Sequence, residues 1–161
     1  MRTALELAME LATRDGFDSL HDPDPSTELI EAYHDPVGFP TQGYGRLLSR
    51  QRWADLGQYE GVTEPQARQW LRSDMQRAAR QTHALVPNAV LNEGQWAALY
   101  DFTFNVGSGN LEVSTLRSQL NRSEYDDIPY QLSRWVYAGS IKLNGLIRRR
   151  QAEITMWEHE A

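Results

Sequence analysis

The sequence lacks several features, and each absence excludes a class of protein. It contains no cysteine, which excludes a disulfide framework, a thiolate zinc site and a cysteine nucleophile. It has no apolar run near the roughly 18 residues of a membrane span, so stable insertion into a membrane is not expected. Because 16 basic and 22 acidic residues give a net charge of −6, no nucleic-acid partner is expected. The four histidines lack ligand spacing, so neither a metal nor another cofactor is expected.

The composition that is present fits one globular domain. A chain of 161 residues, 40% of them hydrophobic and 24% charged, is long enough to bury a core without disulfides. Residues 1–13 carry Glu6 and Glu10 inside an apolar pattern, which favours a helix of the mature protein over a signal peptide. We therefore expect a single domain over residues 1–161, acting as a monomer.

Hydrophobic spacing predicts an α+β protein that is mainly helical. A small β-hairpin lobe is expected at about residues 15–60, and a helical bundle at about residues 61–161 together with 1–14. A long helix should join the two lobes, and the cleft between them is the natural ligand site. Helices are predicted at residues 3–15, 63–85, 92–104, 114–121, 127–137 and 143–157.

The most informative segment runs from Leu29 to Gly45, where two short strands flank the turn Asp35-Pro36-Val37-Gly38. Asp35 at the turn and Thr41 on the returning strand can converge on one water molecule. A carboxylate can accept the proton of that water, and a hydroxyl can orient it. The spacing alone also fits a structural Asp35, because aspartate commonly begins a turn before proline.

Five segments, taken in order, carry a resemblance to a known family. They are residues 32–45 (AYHDPVGFPTQGYG), 102–107 (FTFNVG), 114–116 (STL), 135–139 (WVYAG) and 145–153 (GLIRRRQAE). Together they resemble the signature hairpin and the helical elements of the phage-type lysozymes, the bacteriophage endolysins of glycoside hydrolase family 24. The resemblance extends over nearly the whole chain.

This resemblance implies a lysozyme-like fold and a peptidoglycan muramidase, which cleaves the β-1,4 bond between N-acetylmuramic acid and N-acetylglucosamine during host-cell lysis. Members of the family use a glutamic acid as proton donor, an aspartate and a threonine. Asp35 matches the aspartate and Thr41 matches the threonine. The set fits an inverting hydrolysis, in which two carboxyl groups about 6.5–9.5 Å apart leave room for the attacking water.

The proton donor is where this sequence departs from the family pattern. The family places a Glu-Gly pair nine residues before the aspartate, and here that position is Ser26, which cannot act as a carboxylic acid. If the segment contains an insertion, Asp15-Gly16 at the end of the first helix matches instead. Asp15 is one methylene shorter than glutamate, so Glu28 is the alternative acid.

The resemblance also implies that Tyr33, Asn105, Gly107 and Arg149 bind substrate. Two of them have structural interpretations as well: Asn105 can cap a helix, and Arg149 can lie on a surface helix whose arginines pair with acids such as Glu153. Trp53 is the tryptophan considered for the cleft, because helical spacing assigns most of the others to the core.

The missing glutamate motivates a second hypothesis, a catalytically impaired lysozyme fold that only binds peptidoglycan. In the enzyme hypothesis, the chain has no export signal and accumulates in the host cytoplasm. It then reaches the periplasmic cell wall after the membrane is permeabilised.

Overall fold

Helices form most of the regular secondary structure, and two small antiparallel sheets form the remainder of it. A computed structural model describes residues 2–14 and 23–159. Its helices are α1 (Ala4–Ala12), α2 (Glu64–Leu85), α3 (Glu93–Val106), α4 (Ser108–Glu112), α5 (Thr115–Asn121), α6 (Ile128–Ser133) and α7 (Asn144–His159). Its strands are β1 (Tyr33–His34), β2 (Pro40–Gln42), β3 (Arg46–Leu47), β4 (Tyr137–Ala138) and β5 (Ile141–Lys142). The predicted class, α+β and mainly helical, is confirmed.

Side-chain caps begin helices α1, α2 and α3. Thr3 and Thr63 each accept a hydrogen bond from the backbone N–H three residues further on, at the starts of α1 and α2. At α3, Asn92 and Gln95 form a reciprocal capping box. Each cap satisfies a donor that the first helical turn leaves unpaired, a contribution of about 1 kcal/mol.

Helix α3 lies at the centre of the core. One side of it packs with α1 and α2, where Leu7, Leu71 and Met75 are almost fully buried. Its other side packs with α5, α6 and α7, where Phe102 and Leu120 are fully buried. This double contact explains why the α3 sequence is apolar nearly all round.

The hairpin lobe is a three-stranded antiparallel sheet in the order β1-β2-β3. Its register pairs Thr41 with Tyr33 on one side and with Leu47 on the other. Directly paired residues point to the same face of a sheet, whereas neighbours along a strand point to opposite faces. Tyr33, Thr41 and Leu47 therefore share one face, and His34 lies on the other.

A buried glutamine and a glycine attach this sheet to the start of α2. Gln42 Nε2 donates to the carbonyl oxygens of Ile30, at 3.0 Å, and Glu60, at 2.8 Å. Gly43 has φ +67°, and a Cβ placed there would lie 3.1 Å from the Ala67 Cβ. A larger residue at position 43 would be both strained and crowded, so the turn requires glycine.

The structure differs from the predicted elements at several places. The first strand of the hairpin, expected from Leu29, is confined to Tyr33–His34, and a third strand, β3, joins the sheet. The first helix, predicted over residues 3–15, ends at Ala12.

Two further differences concern the helical part of the chain. The segment 106–110, predicted as a loop, includes the start of α4, because Gly107 at φ +91° redirects the chain into a new helix. The helix predicted at residues 127–137 ends at Ser133, and the chain then forms the β4–β5 hairpin. Gly139 at φ +63° makes the turn of that hairpin, and local periodicity does not reveal such a turn.

Candidate active site

Asp35 is fixed by the backbone of its own turn. Its Oδ1 accepts hydrogen bonds from the N–H groups of Val37, at 3.0 Å, and Phe39, at 2.8 Å. Its backbone N–H also donates to the Phe39 carbonyl at 2.9 Å. Among the described residues, no donor hydrogen-bonds to Oδ2. One carboxylate oxygen thus holds the hairpin, and the other can act on a ligand.

Thr41 lies on the arm opposite Asp35, with its hydroxyl orientation set. Its side chain is buried, and Oγ1 donates to the Phe39 carbonyl at 2.9 Å. Because the hydroxyl proton is used in this bond, the remaining lone pairs of Oγ1 can only accept. Asp35 pairs with Phe39 across the hairpin, so Asp35 and Thr41 are diagonal neighbours on one face, with Cα atoms about 7–8 Å apart.

The two candidate acids differ in what the structure says of them. Asp15 lies outside the described residues. Glu28 lies on an exposed turn before the hairpin, with φ +61° and its N–H donating to the Asp24 carbonyl at 2.7 Å. Within residues 2–14 and 23–159, no group hydrogen-bonds to the Glu28 carboxylate. The assignment of the proton donor therefore stays a prediction.

Asn105, near the end of α3, contacts a buried arginine of α7. Arg150 Nη2 donates to Asn105 Oδ1 at 2.9 Å. A guanidinium can only donate, so this bond fixes the oxygen of the amide towards Arg150 and turns the amide NH₂ away from it. Asn105 is half-buried, and its role as a substrate ligand stays a prediction.

Arg149 is not on the surface of α7, which corrects the structural interpretation drawn from the sequence. It is buried and forms a two-pronged ion pair with Asp101 of α3, with distances of 2.9 and 2.6 Å. Arg150 is the residue that pairs with Glu153, and that pair is buried too. The predicted arginine–glutamate pairing therefore exists, but in the core and one residue later.

The four buried charged groups form one network between α3 and α7. Arg150 Nη2 donates to Glu153 Oε2 at 2.8 Å, whereas Nε and Oε1 are equally close but poorly aligned for a hydrogen bond. Burial raises the pKa of Glu153 well above its usual range against the opposing charge of Arg150, and a hydrogen bond to Asp101 raises it further. Burial also acts to raise the pKa of Asp101, but the Arg149 guanidinium outweighs it and lowers that pKa. Burial thus favours the neutral form of Glu153, whereas Arg149 favours the ionised form of Asp101.

Sequence reasoning missed this network. Asp101 is the acidic residue inside the otherwise apolar run of α3, and that was the available signal, because a buried carboxylate requires a partner. The remaining predicted ligands are Gly107 and Tyr33. Gly107 is exposed with open space around its Cα, and Tyr33 pairs with Thr41 in the sheet.

The described residues carry neither a cluster of metal ligands nor a membrane-spanning helix. Within residues 2–14 and 23–159, no group of three or more His, Asp or Glu side chains could hold a metal ion. None of the helices described there has the length and apolar character needed to cross a bilayer.

Comparisons with known proteins agree with the hairpin and helix plan. The family model described as Phage lysozyme matches residues 28–153. A SAR-endolysin of Bacteriophage PS119 is 33% identical over 127 residues, which are 78% of this chain and 72% of that protein.

Two solved structures share the fold. The endolysin from Escherichia coli O157:H7 phage FAHEc1 has a TM-score of 0.71 at 21% identity, covering 100% of this chain and 94% of the other. The muramidase domain of SpmX from Asticaccaulis excentricus has a TM-score of 0.70 at 23% identity, covering 98% and 96%. Since the family model covers most of the sequence, the chain belongs to the phage lysozyme family, the glycoside hydrolases that cleave bacterial peptidoglycan in host-cell lysis.

Proposed function

We propose that this lysozyme hydrolyses the β-1,4 bond between N-acetylmuramic acid and N-acetylglucosamine with inversion, using Asp35 and Thr41 to hold the attacking water. The observation that carries the proposal is how the hydrogen bonds of the hairpin leave one acceptor available on Asp35 and one on Thr41. Asp35 Oδ1 is bound by two backbone N–H groups and Oδ2 is available, while Thr41 Oγ1 can only accept.

These two acceptors would orient a water completely. One hydrogen of the water points to Asp35 Oδ2 and the other to Thr41 Oγ1, which leaves an oxygen lone pair free to attack the anomeric carbon. Asp35 then takes the proton as general base. The water is positioned before the reaction, so orientation requires no further ordering in the transition state.

The acid that protonates the leaving oxygen is Asp15 in this proposal, with Glu28 as the alternative. An inverting pair needs carboxyl groups about 6.5–9.5 Å apart, and the donor must stay protonated near neutral pH. In the sequence, Asp15 stands directly before a glycine, as the family donor does, and three residues after the end of α1. Glu28 lies on an exposed turn before the hairpin.

The first test replaces Asp35 with asparagine. Asp35→Asn keeps an Oδ1 acceptor for Val37 and Phe39, so the hairpin should fold, but it removes the base. We expect clearing of a peptidoglycan suspension to slow by about a thousandfold. Full clearing by this variant would overturn the proposal, and proton NMR of the released anomer would check inversion.

The second test separates the two acids. Asp15→Asn should abolish clearing, and Asp15→Glu should retain or raise it, because the longer side chain restores the reach of the family donor. Glu28→Gln is the matched control and should clear normally. If Asp15→Asn keeps its rate while Glu28→Gln loses it, Glu28 is the donor.

The remaining assignments concern binding and setting. We assign Tyr33, Asn105 and Gly107 to substrate binding, and the two lobes to one domain over residues 1–161. Arg149, which the sequence also placed among the substrate ligands, has its guanidinium buried against Asp101, so it would serve the site only by holding α7 in place. The substrate is the peptidoglycan glycan strand, and we propose a monomer that binds no nucleic acid. The protein acts on the cell wall, and we propose that it reaches the wall from the cytoplasm through a membrane lesion. Fractionating cells before and after permeabilisation would test that route.

A further inference from the structure

Trp53 is a large aromatic side chain held in the open beside the catalytic hairpin. It is 64% exposed, and its φ of +60° is a backbone conformation that bulky residues rarely adopt. The indole lies against Gly38, where even a Cβ would come within 2.5 Å of the ring. The backbone N–H of Trp53 donates to the Gly38 carbonyl at 2.7 Å. One side of the indole is therefore seated on the turn, while much of the ring remains open to solvent.

Trp53 packs on the face of the hairpin that carries His34 and not on the face that carries Thr41. Its ring meets the edge of His34, with the centroids 5.2 Å apart. His34 Nε2 in turn lies 2.7 Å from the Ala54 carbonyl, which fixes the imidazole. Because His34 alternates with Tyr33 along β1, the indole packs on the side opposite the Tyr33–Thr41 pair.

Positive charge collects next to this indole. Residues 46–53 contain three arginines and no acid, although the whole chain has a net charge of −6. Arg46 is already engaged, since it lies over the Trp70 ring and near Asp74. Arg50 and Arg52 are exposed, and Arg52 is held in place by its Nε donating to the Val37 carbonyl at 2.7 Å. The Arg52 guanidinium also lies over the Phe39 ring, 5.7 Å from its centroid, so Arg52 and Trp53 both contact the turn of the hairpin. Arg50 precedes them in the sequence.

We propose that Trp53, Arg50 and Arg52 form a second site for the anionic glycan strands of peptidoglycan, outside the catalytic cleft. The apolar face of a pyranose ring would pack on the open indole, as apolar groups do on exposed aromatic rings. The guanidinium groups would bind carboxylates of the attached peptides. The inference rests on the chain being a lysozyme, and it does not depend on which carboxylate is the acid.

Such a site would help the enzyme to bind the cell wall and to stay on it. The net charge of −6 gives no general attraction to an anionic wall, so a local basic site is needed to hold the enzyme on its polymer. A glycan strand bound at Trp53, Arg50 and Arg52 would keep the enzyme on the insoluble wall between cleavage events in the cleft. The same holding is unnecessary for short soluble fragments.

The first experiment measures binding to purified peptidoglycan sacculi in the Asp35→Asn background, by sedimentation. Adding Trp53→Ala should weaken binding about tenfold. Adding Arg50→Gln should weaken it about threefold and flatten its salt dependence. Tyr130→Ala is the matched control, because Tyr130 is 60% exposed on α6, and it should bind like the background protein. Equal binding by all four proteins would overturn the proposal.

The second experiment separates binding from support of the hairpin. With Asp35 intact, Trp53→Ala should slow the clearing of sacculi about tenfold, yet cleave soluble oligosaccharides that are too short to reach both sites at a rate within about twofold of the parent. If both rates fall together, Trp53 only braces the hairpin and the proposal fails. Should Trp53→Ala not fold, the test rests on Arg50→Gln, because no described residue forms a hydrogen bond or an ion pair with the Arg50 guanidinium.

The ligand class is tested by competition. Soluble peptidoglycan fragments should release the Asp35→Asn protein from sacculi, and a single-stranded oligonucleotide should not. If the oligonucleotide released the protein at a lower concentration than the peptidoglycan fragments do, the surface would be a nucleic-acid site, and the proposal would be overturned. Failure of the proposed catalytic function would appear separately, as full clearing by Asp35→Asn.

Discussion

The β1–β2 hairpin and the α3–α7 interface hold their carboxylates in opposite ways. On the hairpin, backbone N–H groups bind one oxygen of the half-buried Asp35 and leave the other available. Between α3 and α7, guanidinium groups bind the fully buried Asp101 and Glu153. The comparison teaches that a carboxylate held by main-chain dipoles remains usable for chemistry, whereas one paired with a buried cation is committed to the architecture.

The largest expected effect is on the buried side of this comparison. Arg149→Met removes the partner of Asp101 and leaves a buried charge unpaired, which should lower the free energy of unfolding by about 3–5 kcal/mol. Denaturant unfolding measures the loss. Arg149→Met combined with Asp101→Leu should recover much of it, because the unpaired charge is gone. A loss below about 1 kcal/mol in the single variant would mean that the pair is not essential.

The next effect breaks the attachment of the hairpin. Gln42→Leu keeps the side-chain volume but removes the NH₂ group that joins the carbonyls of Ile30 and Glu60. We expect a loss of about 1–3 kcal/mol, with hydrogen exchange accelerating in the hairpin and not in α3. Gln58→Leu is the matched control, since Gln58 is exposed in the same lobe and binds one carbonyl. Equal effects of the two changes would contradict the assigned role of Gln42.

A third change tests whether Asn105, which contacts the buried Arg150 of α7, also binds the substrate. Asn105→Asp keeps an oxygen for Arg150, so the fold should be as stable as before, but it removes the outward NH₂ donor. If that donor binds substrate, clearing should slow about tenfold, the value of roughly one hydrogen bond. Asn105→Ser, which shortens the side chain, would serve as a comparison. Unchanged clearing by Asn105→Asp would make Asn105 a structural residue.

The smallest effect is a pH dependence of stability. The pKa of Glu153 is raised in the folded state, so the unfolded chain loses this proton first, and stability falls as the pH rises above the ordinary value of 4.5 towards the raised one. Glu153→Gln should not show this fall, although it should keep the loss of stability at acid pH that follows from the lowered pKa of Asp101. Thermal unfolding across pH checks both. Parallel curves for the two proteins would contradict the neutral Glu153.

Local signals explain how far the sequence could be interpreted. The caps at Thr3, Thr63 and Asn92 and the turn at Asp35 each act within a few residues, so a pattern reveals them. The pairing of Asp101 with Arg149 joins residues 48 positions apart, and no local period encodes it. The turn at Gly139 ended a helix that periodicity extended. In the candidate site, Asp35 and Thr41 follow from the hairpin, while the donor depends on how an irregular insertion folds.

The contact between Gly43 and Ala67 has a consequence for the shape of the molecule. Gly43 and Ala67 meet where the sheet packs on α2, and a Cβ added at Gly43 would lie 3.1 Å from the Ala67 Cβ. The spacing between the sheet and α2 is therefore set by a single methyl group. A bulkier residue at position 67 would act as a wedge that lifts the sheet off the helix without touching Asp35 or Thr41.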